Sequence, residues 1–292
     1  MHRIVIASVL AAFLVASAHA DTPDAHQQEY EAAAQAAKAV TVVGPSEVKL
    51  AEQAVLKLPA GMEFIPQPAA SRLMKAMGNS GDDRLLGMVQ SSSDAQWVVL
   101  ARYEASGYVK DDDARDWNVD ELFTSLKDGT EEANKDRRQR GFPELEIVGW
   151  VQKPSYESAS HRLVWSMAAR RKGQADEAGQ SVNYNTYALG REGYISLNLI
   201  TARDAVERDK PVAHTLLSAL SFNDGKRYED FNSSTDSVAK YGLAALVAGV
   251  AVKKLGLFAL AGAFFVKFAK LLLLAGIGVL AMIKKFFGGR SQ

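Results

Sequence analysis

The spacing of apolar positions marks out short strands with helices set between them. Asp21 to Ala39 is rich in Ala, Gln and Glu and reads as a short helix or a mobile leader. Thr41–Val43, Glu47–Leu50 and Ala54–Leu58 read as strands, with Gly44-Pro45 supplying a turn. Leu73, Met74 and Met77 recur at helical spacing and stop at Gly78. Leu85–Val89 and Trp97–Glu104 are strand patterns; in the second, Trp97, Val99, Ala101 and Tyr103 share a face. Asn118-x-x-Glu121 resembles a capping box and opens the clearest helix. Its stripe is Val119, Leu122, Phe123, Leu126 and Ala133, and Gly141 ends it. Leu145–Val151 follows as a strand. The next strand sets His161, Leu163, Trp165 and Met167 on one face. Ser181–Leu189 and Tyr194–Thr201 flank Gly190-Arg191-Glu192-Gly193, a hairpin signal. Asp209 is expected to cap a helix with Pro211 in its first turn and Val212, Leu216, Ala219 and Leu220 on its core side. Hairpin-linked strands with inserted helices predict an α+β fold over residues 41–222. Its expected form is an antiparallel sheet with packed helices, α/β/α sandwich-like.

The two ends of the chain break this pattern. Ile4–Ala18 is an apolar run followed by Ala18-His19-Ala20, so residues 1–20 read as a signal peptide and 21–40 as a leader. Residues 223–240 are polar and read as a linker. Residues 241–287 read as a membrane-associated helical region without Asp or Glu. Tyr241–Val252 is too short to cross a bilayer core of about 30 Å. Phe264–Ile283 is the best single span, with Lys267 and Lys270 placed to snorkel near an interface. Lys284, Lys285 and Arg290 follow it and favour a cytoplasmic end. Lys253 and Lys254 interrupt the apolar pattern. Gly242, Gly249 and Gly256 recur on one stripe, which predicts close packing against another helix of this chain or of a neighbouring subunit.

Charge sharpens the division. The chain has 34 Lys and Arg; setting aside Arg3 and the seven from Lys253 to Arg290 leaves 26 in residues 21–240. All 34 acidic residues lie there too, so that body carries −8. An acidic body argues against nucleic acid as partner, and a basic tail suits a membrane surface. With 0 Cys the chain has neither disulfides nor thiolate metal sites, so an exported form must be stabilised by its core.

Catalytic motifs are sparse. The sequence contains no H-E-x-x-H, G-x-S-x-G, G-x-G-x-x-G or Walker A pattern. Asp111-Asp112-Asp113 with Asp116 is the densest carboxylate cluster, but its spacing fails the EF-hand pattern and it reads as a solvated turn. His161 reads as a packed or edge histidine, Arg137, Arg138 and Arg140 as a solvated helix end, and Asn183, Asn185 and Asn198 as a structural polar ladder. No cofactor or metal is expected.

Several segments together resemble the bacterial family called domain of unknown function 2167, described as membrane-anchored proteins. They are Gly107–Ala114, Asn134–Gly141, Val148-Gly149-Trp150, Asn183-Tyr184-Asn185 with Leu189–Gly193, Arg227–Phe231, and Thr235–Leu243. The resemblance runs from Val40 to Phe287 and implies an anchor and an envelope setting, without an assigned activity. The closing helix and Leu220-Ser221-Phe222 also resemble sandwiches of the PsbP type, an analogy of fold that implies no function. The expected protein is a membrane-anchored envelope module, its body periplasmic, acting by binding or assembly rather than as an enzyme. Its expected partners are the bilayer and a protein, or a second copy, met through the C-terminal helices. The alternatives are a hydrolase with a site near Asp111, Asp113 and His161, and a membrane-remodelling or pore-associated subunit.

Overall fold

The computed structural model describes residues 23–248, apart from 78, 80, 94, 116, 140 and 175–178. The chain begins with helix α1 (Pro23–Val40), strands β1 (Val42–Val43), β2 (Ser46–Leu50), β3 (Ala54–Leu58) and β4 (Met62–Pro66), and helix α2 (Ala69–Ala76). Strands β5 (Leu85–Ser91) and β6 (Val98–Glu104) precede α3 (Val119–Gln139), which leads into β7 (Leu145–Glu157), β8 (Arg162–Arg171), β9 (Ser181–Leu189) and β10 (Tyr194–Ala202). Helix α4 (Val206–Ala219), β11 (Leu220–Phe222) and α5 (Leu243–Ala248) complete it. The fold is α+β. Eight strands form one antiparallel sheet in the order β1-β4-β5-β6-β10-β9-β8-β7, and β11-β3-β2 form a small second sheet.

Both faces of the large sheet are covered. On one face Val99, Ala101, Tyr184, Ile195, Leu197 and Leu199 meet the small sheet and the Ala213–Leu217 side of α4 in the main core. On the other face α1 and α2 cover Ile65, Leu85, Met88 and Leu100. At the far end of that face α3 lies on β7, where Phe123, Trp150 and Trp165 are in ring contact. Double coverage explains why Val98–Glu104 buries residues of both parities, Val99 and Ala101 one way and Leu100 the other. Composition alone leaves residues 21–40 open between helix and leader. Pro23–Val40 is helical and packs Ala33, Ala34 and Ala37 against α2, because small residues let the two helices approach closely.

Several boundaries differ from the sequence pattern, each for a local reason. Strand β7 continues past Val151 through Pro154 to Glu157, because an edge strand does not need every N–H and absorbs its irregularity in register shifts. Strand β4 pairs with both β1 and β5 and has no alternating pattern. Helix α4 starts at Val206, so Asp209 is inside it rather than its cap. Its side chain, 3% exposed, accepts from Thr201 Oγ1 (2.5 Å) and Arg208 Nε (2.9 Å). Helix α3 is as predicted at its start: Asn118 Oδ1 accepts from the N–H of Asp120 (3.1 Å) and Glu121 (3.3 Å).

The expected signal peptide lies outside the described residues, as does the expected membrane region beyond Ala248. Among the described residues, no helix is long and apolar enough to cross a membrane. The C-terminal membrane helices of the expected fold are therefore not part of the observed architecture. Gly249, Gly256, Lys253, Lys254, Lys267, Lys270, Lys284 and Lys285 all fall outside the described residues.

Candidate functional site

The residues expected to form a linker, 223–240, contact the turn joining β9 to β10 and the stretch just after β6. Polar composition reads as a linker between body and anchor; here the polar groups are used as anchors. The turn joining β9 to β10 supplies Arg191 and Glu192. Arg191 makes a two-pronged pair with Asp236, Nε to Oδ2 at 2.7 Å and Nη2 to Oδ1 at 2.8 Å. That pair and the Asn232 N–H hold the Asp236 carboxyl well below the usual carboxylate range. Glu192 accepts from Lys226 Nζ (2.6 Å) and Gln53 Nε2 (2.9 Å), and these bonds depress its pKa as well. Val238 bridges to Tyr108, and the Tyr108 N–H donates to Ser237 O at 2.8 Å. Gly107 is needed there: its φ is +82°, and a Cβ would lie 2.6 Å from Ser237 O.

The same end of the domain carries a stack of rings. Tyr108 lies between Phe231 (centroids 3.9 Å apart) and Tyr228 (4.3 Å), and His161 stacks on Tyr228 at 4.0 Å. The Tyr228 hydroxyl donates to Val109 O at 2.9 Å. His161 takes a left-handed backbone (φ +52°) in the turn between β7 and β8, a conformation more open to His than to most side chains.

His161 and Asp111 are brought together, and Tyr156 joins them. The Tyr156 hydroxyl donates to Asp111 Oδ2 at 2.7 Å and lies 3.1 Å from His161 Nδ1, while His161 Nδ1 and Asp111 Oδ2 are 3.7 Å apart. Burial, then the hydrogen bond to Asp111, pushes the Tyr156 hydroxyl far above its ordinary value, so it stays protonated. A hydroxyl has one proton. With that proton directed at Asp111, the Tyr156 oxygen can accept from His161 Nδ1 when that nitrogen carries a hydrogen. The His161 and Asp111 side chains are 28% and 31% exposed, so a ligand can reach them.

Asp113 does not join this group. Its carboxylate accepts from the N–H of Leu243 (Oδ1, 3.0 Å) and of Ala244 (Oδ2, 3.0 Å), and so caps α5. Gly242 has room for this carboxylate only because it lacks a side chain; a Cβ there would lie 2.5 Å from Asp113 Oδ2. Helix α5 is also held by Tyr187, whose hydroxyl donates to Leu246 O at 3.2 Å. Leu243, Leu246, Val247 and Ala248 are buried.

Of the remaining marked residues, Arg140 lies outside the described residues, and Asn198 Oδ1 is buried without a hydrogen-bond partner among the described residues. Arg137 donates to Pro143 O and Arg138 pairs with Glu144, fixing the turn after α3. Asn185 and Asn198 face each other in register, Asn183 sits opposite Ile200, and Asn185 Nδ2 donates to Asn183 O at 3.2 Å. Among the described residues no three His, Cys, Asp or Glu could hold a metal ion. Ser160 beside His161 donates to Glu157, so its hydroxyl is not directed at the imidazole. The ring cluster and Tyr156 were not singled out as a site by spacing. Tyr108, Tyr228 and Phe231 do lie in segments that carried the family resemblance, which was the only signal available.

Comparison with curated proteins gave no match. Among solved structures, cyanobacterial PsbP (CyanoP) from Synechocystis sp. PCC 6803 is 11% identical and covers 63% of this chain and 91% of its own, with a TM-score of 0.38. A protein of unknown function from Pseudomonas aeruginosa, PA94, described as a putative regulator, is 9% identical and covers 57% of this chain and 89% of its own, with a TM-score of 0.21. At those scores neither likeness supports an argument. The family described as "Protein of unknown function (DUF2167)" matches residues 42–278, most of the chain, and the chain belongs to that family.

Proposed function

We propose that this protein is a membrane-tethered module of the bacterial envelope that acts by binding or assembly rather than by catalysis. The body lies outside the cytoplasmic membrane and the C-terminus inside it. The acid-free segment after Ala248, with its trailing lysines, is the tether. The observation that supports this reading is the attachment of α5. The chain does not enter its apolar tail through a loose linker. Asp113, Tyr187, Arg191 and the ring stack bind residues 223–248 onto the domain. Such an attachment suits a module that presents a fixed surface.

The absence of cysteine makes the test direct. Single cysteines at Asp224, whose side chain is 94% exposed, and at Lys285 are treated in intact cells with a membrane-impermeant maleimide. Labelling at 224 and protection at 285 until the cells are lysed is the expected result. Equal labelling at both sites, or release of the intact protein by alkaline washing of membranes, would sink the proposal.

A second reading, an envelope hydrolase, draws on the Asp111–Tyr156–His161 contact. A carboxylate, a phenol and an imidazole within reach of one another are groups used for proton transfer. Ser160, the hydroxyl next to His161 in the chain, is committed to Glu157, and this reading stands second. Screening the full-length protein against ester, amide and phosphoester substrates, with His161→Gln as control, decides it. An activity lost in the variant would reverse the order.

A further inference from the structure

We infer that a cavity between α2, the start of β5 and the end of β6 is a binding site for a small oxyanion, a phosphate or carboxylate group, held by Arg102. The cavity measures about 220 Å³, and Ser71, Met74, Asp82, Arg84, Leu85 and Arg102 line it. Its charged groups are unevenly used. The Asp82 carboxylate accepts from the Arg84 backbone N–H (3.2 Å), Arg84 Nε (2.8 Å) and Nη2 (3.3 Å), and Arg102 Nε (2.7 Å). Arg84 also reaches Glu104 through Nη1 at 3.2 Å. Arg102 engages only its Nε, so its two terminal amino groups meet no acceptor among the described residues. They belong to a side chain that is 24% exposed. A guanidinium held by its Nε edge presents those amino groups as a preset fork, the geometry that grips two oxygens of one carboxylate or phosphate.

The local charge agrees. Arg84, Arg102 and Lys75 stand against Asp82 and Glu104, which leaves one positive charge over; Lys75 Nζ lies 3.9 Å from where a Cβ on Gly81 would stand. This positive spot lies on a body of net charge −8. A bulge between Leu85 and Gly87 shifts the β5–β6 register so that Leu85 stands opposite Arg102. Met74 and Leu85 provide an apolar floor, which suits an oxyanion carried on a small organic body rather than a bare ion.

Calorimetric titration of the full-length protein in detergent tests the assignment, with inorganic phosphate, acetate and glycerol 3-phosphate as probes. Arg102→Lys keeps the charge but loses the fork; Arg102→Gln loses both. Saturable binding of a probe that weakens at least about tenfold in Arg102→Lys, with thermal melting unchanged, is the expected result. Tighter binding of glycerol 3-phosphate than of inorganic phosphate would assign the site to a lipid headgroup; the reverse order would assign it to a free ion. Absence of saturable binding by any probe, or equal binding by wild type and Arg102→Lys, overturns the inference. Should Arg102→Gln fail to fold, Arg102→Lys decides alone.

Discussion

At the scale of single residues, Asp113 and Gly242 form a matched pair. The carboxylate closes two free N–H groups at the start of α5, and the missing side chain of Gly242 leaves room for it. Asp113→Ala is expected to lower stability by about 1 kcal/mol, the usual cost of losing a cap, measured by urea unfolding. Gly242→Ala is expected to cost about 1–3 kcal/mol through forced displacement of the carboxylate. In Asp113→Ala/Gly242→Ala the alanine at 242 no longer meets that carboxylate, so the two losses should not add. Strict additivity would show that the contact does not matter. The sequence displayed both residues but not their relation. Asp113 looked like part of an acidic turn and Gly242 like part of a membrane stripe, because a contact across some 130 positions leaves no periodic trace.

At the scale of elements, periodicity located most strands and helices, since each buries a face at a regular interval. It failed where burial is not periodic. β4 lies between two strands, and β7 is extended by an irregular edge. Asn134 belongs to the same class. It lies on α3, fully buried, and its amide donates to Leu145 O at 2.8 Å while Leu145 N–H donates to its Oδ1 at 2.9 Å. An amide side chain on a helix thus stands in for the strand that β7 lacks at its first residue. Asn134→Leu roughly keeps the volume but leaves both half-buried Leu145 groups without their amide partner. A loss of about 2–3 kcal/mol is expected, with faster hydrogen exchange at the start of β7. Unchanged stability would show that water replaces the amide freely.

At the scale of the whole molecule, titration should produce a stability maximum with flanks of different origin. Burial raises the Asp82 carboxyl, but hydrogen bonds from Arg84 and Arg102 outweigh it and leave it below 3.8; bonds to Arg191 do the same for Asp236. Groups depressed on folding contribute stability above their unfolded value, and it is lost as pH falls through the folded one. His214, lowered from 6.5 by burial and Lys210, adds a gentler loss on acidification, because the unfolded imidazole takes the proton first. On the alkaline side, burial pushes Tyr184 and Tyr187 up to about 12, so stability is lost as pH rises above 10. Melting temperature measured against pH should therefore fall mildly below 6.5, steeply below 3.8 and again above 10. His214→Gln should remove only the mild arm. A midpoint that keeps rising on acidification would contradict the assignment. None of this was legible from composition, which gave the body's net charge but not which charges are paired.

The ring stack has a consequence of another kind. Tyr108 and Tyr228 lie 120 positions apart in the chain yet only 4.3 Å apart between ring centres. Chromophores that close exchange excitation, so the pair should give a signed near-ultraviolet circular dichroism band that exists only while the tail segment is seated. The protein thus carries its own optical gauge of whether residues 223–248 are in place, readable in membranes or detergent without any attached label.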